Sequence, residues 1–172
     1  MSSQPEPAPI IVTALFGHQD AAWLTGLRRQ HFPPERNYLD AHLTLFHHIA
    51  PALADELKQR LRAETRGVQA PRAMLAGVMS LGRGTAFRVE SPDLIAIRAR
   101  LADAFSGMLM PQDQAGWRPH VTIQNKVEPA AARALKAQME ADFAPRPLAI
   151  AGLATWWYRG GPWEPLSRHM FA

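Results

Sequence analysis

The chain has 172 residues and a mass of 19.1 kDa, enough for one domain or two small lobes sharing a core. Apolar residues make up 47% of it and charged residues 20%, so it can bury a sizeable core and is not a disordered chain. Cysteine is absent, which excludes a disulfide frame, a thiolate nucleophile and a zinc finger. The balance of 19 Lys plus Arg against 15 Asp plus Glu gives a net charge of +4. That suits an anionic substrate but is too mild for coating a nucleic-acid duplex. Lysine occurs only at Lys58, Lys126 and Lys136, and every other basic residue is arginine. No apolar run approaches the roughly 18 residues of a membrane helix. The opening MSSQPEPAP has neither the basic start nor the apolar stretch of a secretory signal, so a cytoplasmic location is expected.

Residues 1–9, with Pro5, Pro7 and Pro9, read as a flexible tail. Ile10 to Phe16 (IIVTALF) is an apolar, β-rich run expected to form a buried strand. Asp20 is placed to cap a helix over 21–30, with Trp23, Leu24 and Leu27 at helical spacing, and Pro33-Pro34 ends it. The segment 37–49 alternates in its middle and predicts a strand. Pro51 opens a helix over 51–65 with Leu53, Leu57 and Leu61 on one stripe. Two strand-like runs, 73–81 and 85–90, flank Gly82-Arg83-Gly84, a hairpin signal. Ser91-Pro92-Asp93 caps a helix to about residue 106, striped by Leu94, Ile97 and Leu101. A loop with Pro111, Gly116 and Pro119 leads into an alternating strand over 120–127, and Pro129 opens a helix to Asp142. Segments 148–158 and 163–171 close the chain as a strand pair around Gly160-Gly161-Pro162. The order is βαβαβ twice, with one extra C-terminal strand, and strand–helix–strand 10–49 resembles 85–127 in length and pattern.

Each half carries the same tetrad pattern: His42-Leu43-Thr44-Leu45 and His120-Val121-Thr122-Ile123. On a strand, residues i and i+2 share a face, so an imidazole and a hydroxyl stand side by side while the two apolar residues face a core. Under an approximate two-fold the two pairs converge on one cleft. Two imidazoles flanking one centre can act as general base and general acid. Two hydroxyls can donate to the non-bridging oxygens of a tetrahedral anion. These groups fit cleavage or transfer at a phosphodiester. No carboxylate cluster accompanies the histidines, so no metal is called for. His47 and His48, adjacent on a strand, point to opposite faces and cannot share an ion without a bulge. A lone H-x-T-x carries little; the pair in corresponding positions carries the inference.

The two motifs, 78 residues apart (120 − 42), together with the chain length and the duplicated pattern, resemble the 2H phosphoesterase superfamily. This is the group that includes 2′-5′ RNA ligase-like proteins and RNA 2′,3′-cyclic phosphodiesterases. The resemblance implies an α+β fold of two pseudo-symmetric lobes, with antiparallel sheets around a central groove and helices outside, as a single bilobal domain over 10–172. It further implies hydrolysis of a 2′,3′-cyclic phosphate to a 2′-phosphate without metal or cofactor, and ligation as the same chemistry reversed. Under it His42 protonates the departing 3′-oxygen, His120 activates water, and Thr44 and Thr122 hold the phosphate. The partners expected are RNA ends or a small cyclic nucleotide, no membrane, and a monomeric chain. Rival readings are a cyclic phosphate of ADP-ribose as substrate, or a relative that only binds RNA or nucleotides.

Further candidates share the parity of the motifs. Tyr38 and Phe46 are placed to stack on a base, and Arg118 and Lys126 to meet phosphate. Packing is the reading preferred for the two aromatics, and a solvated strand end is the alternative for Lys126. Trp117 lies next to the second motif, and Thr155-Trp156-Trp157-Tyr158 can offer only half its aromatics to any one groove. His18, His31 and His169 are expected at the surface.

Overall fold

The computed structural model describes residues 7–172. Its elements in chain order are β1 (Ile10–Phe16), α1 (His18–His31), β2 (Leu43–Ile49), α2 (Ala54–Thr65), β3 (Met74–Ser80), β4 (Thr85–Glu90) and α3 (Pro92–Ala104). There follow α4 (Pro111–Gln114), β5 (His120–Gln124), α5 (Pro129–Asp142), β6 (Arg146–Pro147), β7 (Ile150–Trp157) and β8 (Glu164–Met170). Two four-stranded antiparallel sheets result, in the orders β2-β1-β7-β8 and β5-β4-β3-β6. The expected α+β architecture is what the chain adopts.

The repeat seen in the sequence is the repeat in space. β1 and β2 joined by α1 correspond to β4 and β5 joined by α3, and β2 and β5 are the edge strands of their sheets. Those edges pack against each other. Leu43 and Leu45 of β2 and Val121 and Ile123 of β5 are each 0% exposed and enter one apolar cluster with Phe105, Leu153 and Leu75. Shared burial of this kind is what fixes the two sheets relative to each other. Gly84, in the turn ahead of β4, allows the close crossing there: a Cβ would lie 2.0 Å from the Gln124 carbonyl oxygen, so only glycine fits.

Several boundaries differ from those the sequence predicts. Of the expected tail, residues 1–6 lie outside the described residues, but Ala8 is buried and the Pro9 carbonyl accepts from the Tyr158 amide. Helix α1 begins at His18, and Asp20 does not cap it; its carboxylate instead accepts from the Ala149 amide and Arg146. Ser91 does cap α3, accepting from the Leu94 amide at 3.1 Å. The first motif strand begins only at Leu43, because Pro34–Arg36 forms a 3₁₀ turn and residues 37–42 remain irregular. The second ends at Gln124 rather than at 127. His169, expected at the surface, is half-buried within β8.

Candidate active site

The paired edges bring the two motifs together with the geometry their alternation implies. His42, one residue ahead of β2, has its Nδ1 2.8 Å from the Asp40 carbonyl oxygen. His120, the first residue of β5, has its Nδ1 2.7 Å from the Arg118 carbonyl oxygen. A carbonyl can only accept, so in both rings Nδ1 carries the proton. Each Nε2 is thereby the nitrogen left for proton transfer, able to take a proton when the ring is neutral and to give one when it is charged. Thr44 and Thr122, two residues on, are both half-buried while their apolar neighbours are fully buried, as the alternation requires.

Each motif strand is braced by side chains of the other half. Arg28 of α1 donates through Nη1 to the Thr122 carbonyl at 3.4 Å and through Nε to Asn37 at 2.8 Å, and stacks over Phe32. Arg98 of α3 donates through Nε to the Leu45 carbonyl at 3.1 Å and through Nη2 to the Asp113 carbonyl at 2.8 Å. The Trp117 indole donates to the Thr44 carbonyl at 3.0 Å. Asp113, 1% exposed, accepts from the amides of both His47 and His48 and from the His47 ring, which ties α4 to β2. Burial alone would raise its pKa, but those His47 and His48 hydrogen bonds hold it below the usual carboxylate value.

Electrostatics set His42 apart. Burial depresses its pKa to about 4; the Asp40 carbonyl opposes this, and the charges of Arg28, His120 and His47 push further down. Arg28 is itself lowered by burial to about 10, against the pull of Asp40, and stays cationic at neutral pH. His42 is therefore neutral in the unliganded chain and close to the cationic Arg28, which suits a site awaiting an anion.

A cleft of about 530 Å³ lies over the first sheet beside His42. A row of paired residues runs from Thr44 of β2 through Thr13 and Ala154 to Arg168 of β8, and the last three line the cleft. Trp163, on the loop before β8, packs against His42 at 4.6 Å between ring centroids and against Trp156 at 6.4 Å. Trp156 donates to Thr13 Oγ1 at 2.9 Å. Tyr38 also lines the cleft, 65% exposed, with its hydroxyl bonded to the Glu35 carbonyl. Among the described residues no group of three His, Cys, Asp or Glu side chains is placed to hold a metal ion.

Two expected contact residues are corrected. Phe46 is 0% exposed and cannot stack on a base. The register runs Thr13↔Thr44 and then Val12↔Phe46, so β2 has an extra residue that turns Phe46 into the core, under the Arg98 guanidinium. Lys126 lies beyond the end of β5 in an exposed turn with φ +62, off the strand face. Arg118 is exposed, and its carbonyl holds His120. Four residues at the site, Arg28, Arg98, Trp163 and Arg168, are not singled out by the sequence. Arg28 and Arg98 carry a signal there, since each sits four residues after a buried leucine, Leu24 or Leu94, on the apolar stripe of its helix.

Two antiparallel sheets meeting at edges that each present a His–Thr pair define the two-histidine phosphoesterase class. The 2′-5′ RNA ligase superfamily model matches residues 16–162, and the chain belongs to that superfamily. Its fold is similar to that of Escherichia coli LigT in apo form, at 19% identity and a TM-score of 0.59, covering 98% of this chain and 99% of that one. LigT complexed with 3′-AMP aligns at 17% identity and TM-score 0.59, over 97% and 99% of the two chains. TT0787 of Thermus thermophilus aligns at 16% identity and TM-score 0.61, over 95% and 97%. No curated protein sequence matches the chain.

Proposed function

We propose that this chain is a metal-independent phosphodiesterase that opens 2′,3′-cyclic phosphates at RNA or nucleotide ends to 2′-phosphates. The observation that carries the reading is the matched pair of Nδ1–carbonyl bonds at His42 and His120, which leaves both Nε2 atoms for proton transfer. A cyclic phosphate in the groove is attacked by water, and His120 Nε2 takes the water proton as the new P–O bond forms. The P–O3′ bond breaks, and His42 Nε2–H gives its proton to the 3′-oxygen. Thr44 and Thr122 donate to the non-bridging oxygens as charge builds on them. The acid role requires a charged His42, and the negative phosphate supplies the field that raises its pKa on binding. A 5′-hydroxyl attacking in place of water makes the same step a ligation. Trp163 and Trp156, beside His42, offer faces for a nucleobase. The 3′-AMP complex of LigT is in keeping with a nucleotide ligand.

The test is product chromatography after incubation with EDTA, nucleoside 2′,3′-cyclic phosphates and short RNAs ending in a cyclic phosphate. Conversion to 2′-phosphates that persists in EDTA is the expected result. No product from any of them, or product only with added divalent metal, would overturn the reading.

A further inference from the structure

A second cleft, of about 520 Å³, lies between α2 and β8 on the far side of the first sheet's outer edge. Its helix wall carries Lys58 and Arg62, with Arg66 at the helix's C-cap, four residues apart and so about 6 Å from one to the next. No Asp or Glu side chain lines it. The rest of α2 behaves differently: Arg60 pairs with Glu56, and Glu64 holds Arg100 through two bonds of 2.8 Å. Among the described residues Lys58, Arg62 and Arg66 form no such ion pair. The strand wall is ordered by hydrogen bonds: Ser167 Oγ is 2.5 Å from Thr155 Oγ1 and 2.9 Å from His169 Nε2. Nearby positive charge is also felt at His169, whose pKa is lowered by burial and then by Arg62 and Lys58.

The two clefts adjoin at β8. Ser167 and Arg168 of β8 line both of them, and Arg168 ends the row that begins at Thr44. We infer that the substrate is a polynucleotide whose strand leaves the catalytic cleft over β8, passes Arg168, and lays its backbone phosphates along Lys58, Arg62 and Arg66. The assignment of that strand as RNA rests on the proposed phosphodiesterase reading; the track itself does not. Cations at regular spacing, without an ion pair among the described residues and sharing β8 with the cleft that holds His42, match a repeating anion and exceed what a mononucleotide needs.

The experiment measures anisotropy of a fluorescein-labelled 12-nucleotide RNA with a 2′-phosphate end, across a salt series, so that turnover plays no part. For K58Q/R62Q/R66Q the expected loss is tenfold or more in affinity at low salt, with the slope of log K against log salt reduced by about 2. Binding of a nucleoside 2′-phosphate should stay unchanged, and so should RNA binding by R60Q/R100Q/R133Q, which removes the same charge elsewhere. R62Q alone should lower the slope by about 0.7, which keeps the test open if the triple variant folds poorly. Unchanged RNA affinity and slope would overturn the track. So would equal losses from both triple variants, or binding to phosphatidylserine vesicles but not to RNA. Loss of RNA binding in a protein that opens no cyclic phosphate would leave the track standing and remove the reading of the catalytic cleft.

Discussion

The two halves of the molecule hold their histidines in the same way and surround them differently. Both rings are fixed through Nδ1 to the carbonyl two residues back, and both strands are braced by an arginine from the opposite half's helix. His42, however, lies in the closed part of the groove, beside Trp163 and near the buried Arg28, and its pKa falls to about 4. On the His120 side the neighbouring strand carries Arg88, exposed and paired with Glu90 across from His120. The second half also has the short helix α4, whose Asp113 clamps β2. Duplication explains the shared ring geometry, and divergence of the loops explains why Trp163 packs on His42 while Arg88 of the neighbouring strand stands across from His120. The common part is what proton transfer needs; the unequal part is what can separate an acid from a base.

The largest effects should come from the part the halves share. His42→Ala and His120→Ala should each lower kcat by about 10² to 10⁴ while circular dichroism and the melting curve stay near those of the parent. Near-native turnover in either variant would remove the symmetric account. Thr44→Val and Thr122→Val come next, each expected to cost about 10² to 10³ in kcat, the loss of one donor to the developing anion. If one threonine proves neutral, only its partner meets the phosphate. Asp113→Ala tests the unequal part. It strands the two part-buried amide donors of His47 and His48, and urea unfolding should show a loss of about 2 kcal/mol. Unchanged stability would mean that α4 contributes no clamp.

The smallest effect is the titration of His42. Imidazole NMR shifts should place its midpoint near pH 4, and a nucleoside 2′-phosphate should move it upward. A midpoint near 6.5 without ligand would contradict the enclosure of His42. Because the unfolded histidine binds its proton at about 6.5 and the folded one near 4, the unfolded chain gains a proton first as pH falls. This contribution to stability is complete above about pH 6.5 and is lost progressively towards pH 4. His42→Ala should therefore be less sensitive to acid than the parent, as followed by urea midpoints at pH 7 and 4.5.

Much of this is legible in the sequence because period-2 alternation is a local property. Leu43, Leu45, Val121 and Ile123 announce the inner faces, and with them the opposite orientation of His42, Thr44, His120 and Thr122. Phe46 defeats a local reading because a β-bulge depends on the partner strand, and nothing within β2 records that β1 offers one residue fewer. Lys126 does so for a related reason, since its turn conformation becomes visible only once β5 ends at Gln124. Trp163 and Arg168 reach the cleft through a strand order, β1-β7-β8, that pairs residues from opposite ends of the chain. Local pattern does not carry that information. The buried Arg28 and the half-buried Arg98 sit on apolar stripes, but a charged residue there acquires meaning only when an opposing carbonyl is known.

In the proposed mechanism both imidazoles act on one phosphodiester as a unit, and a kinetic cycle over the single variants and H42A/H120A tests this most directly. Groups that share one transition state are strongly non-additive, so the double variant should be slower than the parent by about the same factor as either single variant. Rate losses that multiply would show instead that the two histidines serve independent steps, and would contradict the mechanism.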